Sequence, residues 1–378
     1  MNKVLLPLLV LLIISCSVNQ SNDVESDKSD STASWIDQQV TEILEKENIP
    51  SISIATIQNG EPALLKGYGV LNRKGTANSN ENTVYQIASV SKMFTGTIAN
   101  HLLKEGIIDL DEKIVSYLPE DLSTSNKEKL GDIKLRHLMH HRSGLPRDSK
   151  VVKRVDGEPF LGGYTEDDLL KDLDVLELEF NSNEKYSYSN IGYGLLGYIL
   201  ERASGKSYEV LLNEYITDPL EMNNTEANPA NIDKKITATP YRKDDRNTPT
   251  KAWESGKLVP AGGLYSTTED LSKLMVHQIQ DYAEYEKTGS ASNFIITEFK
   301  APRKSEIESY GFGLIEVNTE RGNIYGHQGD MDGFASSYLF FPKYKVGVIL
   351  LTSSGGDWLG KLSSEILKKL VEEAKQKG

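Results

Sequence analysis

Residues 85–96 read YQIASVSKMFTG, and the fold turns on how this stretch is taken. Ser89 and Lys92 open an apolar run in which Met93, Phe94, Ile98, Leu102 and Leu103 line one side of a helix. A spacing of three puts hydroxyl and amine on one helix face, one turn apart. The amine can then reach the hydroxyl. A serine attacks a carbonyl only if a base takes its proton, and a lysine serves when its surroundings depress its pKa. The helix N-terminus adds positive potential and free N–H groups, which suit a developing oxyanion. In the competing reading Ser89 or Ser91 merely caps the helix and Lys92 is solvated. Ser-x-x-Lys occurs twice in the chain, and the second copy, Ser182 to Lys185, lies in a polar loop with no apolar helix behind it. The motif alone leaves both readings open.

Outward from this stretch, Trp35, Val40, Ile43 and Leu44 recur at helical spacing, with Asn48 and Pro50 closing the helix. Strands are predicted over Ile52 to Ile57 and Ala63 to Val70, joined by a hairpin turn at Asn59-Gly60. Near the other end, Tyr310 to Val317, Ile324 to His327, Phe334 to Phe341 and Val346 to Thr352 read as strands. A last amphipathic helix carries Leu359, Leu362, Ile366, Leu367, Leu370 and Val371 on one face. Between them the pattern is helical: Met93 to Lys104, Leu135 to His140, Glu166 to Leu173, Ile191 to Ala203, Glu209 to Tyr215 and Glu269 to His277. The expected class is α+β, an antiparallel sheet built from both chain ends (about 35–85 and 290–378) and flanked by helices. A mostly helical subdomain (about 86–289) is inserted in it.

The chain has 378 residues, a formal charge of −13 and one cysteine. That charge disfavours nucleic acid or an acidic surface as partner, and points to a small-molecule or peptide substrate. The opening MNKVLLPLLVLLIISC has an apolar run too short to cross a bilayer, for which about 20 residues are needed. It reads as a signal peptide over residues 1–15. Ile13-Ile14-Ser15-Cys16 resembles a bacterial lipoprotein box, which implies acylation of Cys16 and a membrane anchor outside the cytoplasm. The polar, acidic residues 16–34 are expected to be a flexible tether, and the domain to span 35–378.

Two further stretches bear on the serine. Tyr188-Ser189-Asn190 stands just ahead of the helical run with Leu195, Leu196, Ile199 and Leu200, and His327-Gln328-Gly329 lies on a strand. Gly329 sits where a substrate could lie close against the backbone. In that order, Ser89-Val90-Ser91-Lys92, Tyr188-Ser189-Asn190 and His327-Gln328-Gly329 resemble the three signature boxes of the serine β-lactamase and penicillin-binding-protein superfamily. RHLMHHRSGLP (136–146), PAGGLYSTTEDLSKLM (260–275) and YGFGL (310–314) are similar to segments of its class C branch, which includes DD-peptidases and many esterases. The resemblance implies a β-lactamase/transpeptidase-like fold and acyl transfer through an ester on Ser89, with no cofactor. Lys92 would be proton acceptor or electrostatic partner, and Tyr188 would shuttle protons. Asn190 and His327 would hold substrate, and the backbone N–H groups of Ser89 and Asp330 would form the oxyanion hole.

Many β-lactamases carry lysine at the third box, where His327 stands here. A histidine's charge depends on pH near neutrality, so the departure favours an esterase or D-Ala-type peptidase over a β-lactamase. Asp330 disfavours an anionic substrate unless its side chain points away. His137, His140 and His141 have metal-like spacing, the one feature of a rival zinc hydrolase, but lack the glutamate of His-Glu-x-x-His. No Gly-x-Ser-x-Gly elbow is present. An inactive binding lipoprotein that keeps the fold is the alternative from outside enzymology.

Overall fold

The structure is a computed structural model that describes residues 23–120, 122–153, 155, 160, 162–288, 301–303 and 308–377. It begins with α1 (Asp23–Lys46) and the hairpin β1 (Ser51–Gln58) and β2 (Glu61–Gly69). The middle holds β3 (Tyr85–Gln86), α2 (Ser91–Lys104), α3 (Thr124–Leu130), α4 (Leu135–Met139), α5 (Glu166–Val175) and α6 (Asn190–Ser204). It continues through α7 (Tyr208–Leu212), α8 (Val259–Gly262), β4 (Tyr265–Ser266) and α9 (Thr268–Thr288). Then come β5 (Ala301–Pro302), β6 (Glu308–Gly311), β7 (Leu314–Thr319), β8 (Gly322–Asp330), β9 (Ala335–Phe341), β10 (Val346–Thr352) and α10 (Trp358–Lys377).

Eight strands form one antiparallel sheet in the order β2-β1-β10-β9-β8-β7-β6-β5. The N-terminal hairpin thus pairs with the last strand, Ile54 standing opposite Leu350, so both chain ends build the sheet as the pattern requires. Side chains alternate across a strand, and here the alternation sorts them into two cores. Ile52, Ile54, Val348 and Leu350 face Ile36 and Val40 of α1 and Leu362 and Ile366 of α10. Ala55, Ile57, Ile349 and Leu351 face the helical body, with Phe94, Leu196 and Leu271. β1 (SISIATIQ) is buried on both faces, so its polar side chains are paired inside, Ser51 with the Ser353 hydroxyl and Ser53 with the Asn80 carbonyl. The Asn59-Gly60 turn has positive φ at both residues (56° and 83°), the geometry of a two-residue I′ hairpin.

Four expectations change. The single strand predicted over Tyr310 to Val317 is two, β6 and β7, folded back at Phe312-Gly313 with φ of 50° and 81°. The turn is pressed onto α2. A Cβ on Gly313 would stand 2.1 Å from the Lys92 carbonyl oxygen, and one on Gly96 2.0 Å from that of Phe312. The region read as a tether is helical from Asp23 onward. Once Ile36 and Val40 dock, the costly helix nucleus exists and further turns add to it. Residues 1–22, with the signal segment and Cys16, lie outside the described residues. The helix predicted from Glu269 continues to Thr288, because Ile279 and Tyr282 extend its buried stripe. The one predicted over Glu209 to Tyr215 is α7 followed by a π turn, Asn213–Thr217.

Candidate active site

Ser89 lies in a short turn, Ala88–Val90, that feeds directly into α2. Ala88 has φ of 47°, a left-handed conformation that costs an alanine energy. Three neighbours hold it there. The Ile87 N–H donates to the Leu264 carbonyl at 2.9 Å, and the Ser336 hydroxyl of β9 donates to the Ile87 carbonyl at 2.6 Å. Gly329 of β8 lets that strand close on the turn, since a Cβ there would stand 2.7 Å from both Ala88 Cβ and the Ile87 oxygen. The space expected to receive substrate at Gly329 is therefore filled by the serine's own turn.

The two readings left open by Ser-x-x-Lys separate here. No side chain caps α2. The Ser91 hydroxyl instead accepts the Leu264 N–H at 3.1 Å, and Lys92 is fully buried. Lys92 Nζ lies 3.3 Å from Ser89 Oγ, 2.9 Å from Asn190 Oδ1 and in close contact with the Ala261 carbonyl of α8. Burial holds its pKa well below the usual lysine value; the Arg147 charge pushes the same way and Asp148 opposes.

Tyr188 comes from the residue before the α6 cap. Ser189 caps α6 by accepting the Gly192 N–H at 2.9 Å and donates to the Pro146 carbonyl at 2.7 Å. Its own N–H donates to His141 Nδ1 at 3.1 Å, and the Asn190 N–H to the Arg147 carbonyl at 2.8 Å. With its backbone so fixed, Tyr188 hydrogen-bonds Ser89, and burial raises its pKa while that hydrogen bond opposes the rise. Its ring lies 4.7 Å from Lys92 Nζ and 4.2 Å from the His141 ring. Asn190 lines the smaller cavity beside Ser89, but its amide is already engaged: Oδ1 accepts Lys92, and Nδ2 donates to Asp148 Oδ1 at 2.7 Å.

His327 departs from the expected switch near neutrality. It is buried, 4% exposed, and burial, reinforced by Lys92 when that amine is protonated and by the Arg303 charge, drives its pKa to about 3, with only its contact to the Gln328 backbone opposing. Nδ1 lies 2.6 Å from the Gln328 carbonyl and Nε2 3.3 Å from the Tyr310 hydroxyl, so the ring donates at Nδ1 and accepts at Nε2. It is a neutral group. The Asp330 carboxylate is paired at 2.5 Å with Lys243, which removes the objection raised by its charge. Two of the clustered histidines are turned to the backbone: His137 Nδ1 accepts the Lys134 N–H at the start of α4, as His141 does that of Ser189.

Two cavities meet at Ser89. One, of about 470 Å³, is a cleft of mixed character, with Arg303, Glu308 and His327 beside Ile315, Val317 and Leu339 in its wall. The other, of about 80 Å³, is apolar, with Val152, Phe160, Trp253 and Leu258. Ser89, Arg147 and Asp330 line both. Arg147, Asp148 and Ala261 escaped the sequence reading, whereas His141 stood out there for its metal-like spacing and not as the acceptor of the Ser189 N–H. Only the sequence position of Arg147-Asp148, directly after the SGLP segment, could have drawn attention to them.

A family model described as Beta-lactamase matches residues 36–362. The chain belongs to the beta-lactamase family. Protein flp of Staphylococcus aureus (strain MW2) is 26% identical over 338 residues, which are 89% of this chain and 66% of that protein. Beta-lactamase-like protein 4 of Dictyostelium discoideum is 26% identical over 368 residues, 90% of this chain and 64% of that one. The chain thus spans slightly less than two thirds of the length of either relative. Among solved structures, an octameric penicillin-binding protein homologue from Pyrococcus abyssi matches with a TM-score of 0.75 and 26% identity, over 90% of this chain and 77% of that one. Beta-lactamase-family membership and a β-lactamase/transpeptidase-like fold are compatible with serine hydrolase activity.

Proposed function

We propose that the protein is a serine hydrolase that carries an acyl group on Ser89 Oγ and releases it to water, acting on an ester or on a peptide or amide of D-Ala type. The observation that carries this reading is the buried Lys92 amine 3.3 Å from Ser89 Oγ. A neutral amine has two N–H donors and one lone pair. The Asn190 and Ala261 oxygens take both donors, and the lone pair is left for the serine proton. Lys92 is then the base that activates Ser89 for attack on the carbonyl carbon. Burial acts the other way on Tyr188 and keeps its phenol protonated, so Tyr188 gives a proton to the leaving group and is resupplied from the Lys92 ammonium. The backbone N–H groups of Ser89 and Asp330 are assigned to the oxyanion. Water repeats the sequence on the acyl ester, yielding a carboxylic acid and free Ser89.

A neutral His327 supports esterase or peptidase chemistry over antibiotic hydrolysis, because it offers no fixed charge at the third box. True β-lactamase activity is the second reading, supported by the family alone. Labelling with a fluorophosphonate tests the common step: Ser89→Ala should abolish it, and equal labelling of the two proteins sinks the proposal. Turnover of a short-chain aryl ester, a D-Ala-terminated peptide and a chromogenic cephalosporin then separates the substrate classes. Membrane anchorage outside the cytoplasm through acylated Cys16 belongs to the same proposal. Metabolic labelling with a fatty acid should mark the wild type and not Cys16→Ser.

A further inference from the structure

The Asn190 amide is engaged at both ends: Oδ1 accepts the Lys92 amine at 2.9 Å, and Nδ2 donates to Asp148 Oδ1 at 2.7 Å. A carboxylate only accepts hydrogen bonds, so it takes the NH2 end of the amide and leaves the oxygen for Lys92. The segment that carries Asp148 is itself fixed on both flanks. On one side the Arg147 carbonyl accepts the Asn190 N–H at 2.8 Å. On the other, the buried Asp172 of α5 accepts the Lys150 and Val151 N–H groups at 2.8 and 3.0 Å through Oδ1. The Tyr164 hydroxyl steadies Asp172 in turn, donating to Oδ2 at 2.5 Å. Asn190 is thus gripped by residues 147 and 148 through backbone and side chain alike.

We propose that Asp148 is a positioning residue for acylation: it holds the Asn190 oxygen on Lys92 and so keeps the lone pair of the amine aimed at Ser89. This rests on the acyl-transfer reading and names what steadies its base. Were the amide reversed, Nδ2 would donate to the Lys92 lone pair, and the serine proton would have no acceptor. With the oxygen fixed in place and the Ala261 carbonyl taking the second N–H, the lone pair faces Ser89 Oγ at 3.3 Å. Asp148 also acts through its charge. Facing Lys92 are Arg147 and Asp148 of the one segment, the Tyr188 and Tyr193 rings at 4.7 and 5.5 Å, and the buried His141 and His327, both neutral; α8 presents the uncharged Ala261 carbonyl. Of these groups Asp148 is the anion, and it favours the protonated amine. Removing its charge moves the protonation of Lys92 to lower pH.

The test follows the rate of fluorophosphonate labelling across pH in the full-length protein. The wild type should show a plateau that falls away toward acid. Asp148→Asn should lower the plateau by about 10-fold, the scale of a charge-assisted hydrogen bond, and move the acid limb to lower pH. Asp148→Ala should move the limb the same way, whereas Asp148→Glu, which keeps an acceptor-only anion, should return it toward the wild-type position. A group that merely supported the loop would lower the plateau and leave the limb in place. In a Lys92→Ala background, Asp148→Asn should change the residual rate by less than about 2-fold, because its effect runs through the amine. A limb that stays in place in both charge-removing variants overturns the inference and leaves the acyl-transfer reading standing, as does a loss of rate that persists in full without Lys92. Absence of labelling in the wild type overturns the acyl-transfer reading, and the role of Asp148 with it.

Discussion

Lys92 and Tyr188 are driven apart by the same burial: the pKa of the amine is lowered well below its ordinary value and that of the phenol is raised. Lys92→Ala should therefore lower the acylation rate by about 10²- to 10⁴-fold, the usual worth of a positioned base. In the wild type, acylation should fail toward acid as Lys92 takes up a proton, and stopped-flow acylation across pH would show that limb vanish in the mutant. His327, with a pKa near 3, has nothing to titrate between pH 6 and 8. His327→Gln should leave the shape of the profile in that window intact, and a changed shape would restore a charge role to it. Its protonation matters for stability instead. The folded pKa lies below the ordinary 6.5, so full stability holds above about pH 6.5 and is lost as pH falls toward 3, at up to about 1.4 kcal/mol per pH unit. Urea melts at pH 7, 5 and 4 should lose stability less steeply in His327→Gln. Ser89, Lys92 and Tyr188 were legible because spacing and the three boxes are local properties of the chain. Arg147 was not, nor was the contact that His141 makes, since each meets the site through a partner far away in sequence, Asn190 or Ser189. Nor could the sequence show that His327 is neutral, because burial is set by the whole fold.

Among the elements, α2 and the β6–β7 turn carry the closest approach. Gly96 and Gly313 let the helix that bears Lys92 rest on the Phe312 carbonyl without intervening side chains. Gly96→Val should push that turn outward, costing about 1–3 kcal/mol by overpacking and displacing Lys92 from Ser89. A denaturant melt reads the first effect and fluorophosphonate labelling rate the second; unchanged values for both would dismiss the contact as unimportant. The long strands and α2, α4, α5 and α6 were readable from their periodicity to within a few residues, whereas α1 and α9 ran well beyond the stretches predicted for them. The Phe312-Gly313 turn was not, because phenylalanine inside an apolar run signals strand, and only the pressure of α2 explains why the chain folds back there.

For the whole molecule, the sheet divides two apolar cores with different duties. The one under α1 and α10 contains Ile366 and Leu362 and none of the site residues, whereas the other holds Ala88, Ala261 and Tyr310 beside Ser89. Ile366→Ala should cost about 2–5 kcal/mol while kcat per folded molecule stays at the wild-type value, which melts and active-site titration together would show. The class and the sheet built from both ends were legible at this scale. The start of α1 was not, since its polar first turns have no pattern of their own and are helical only as an extension of the docked stretch.

The pairing of β1 with β10 joins Ser51 to Ser353 across 302 positions. Until the last strand leaves the ribosome, β1 has an open edge, and β9, whose Ser336 steadies the turn before Ser89, lacks its neighbour. Loop closure of that length has to precede any reward from the contacts. A nascent chain therefore cannot arm its serine early. Reactivity waits for β10, and a truncated translation product lacking it is expected to be both unreactive and, through the bare strands, a ready target for holding chaperones.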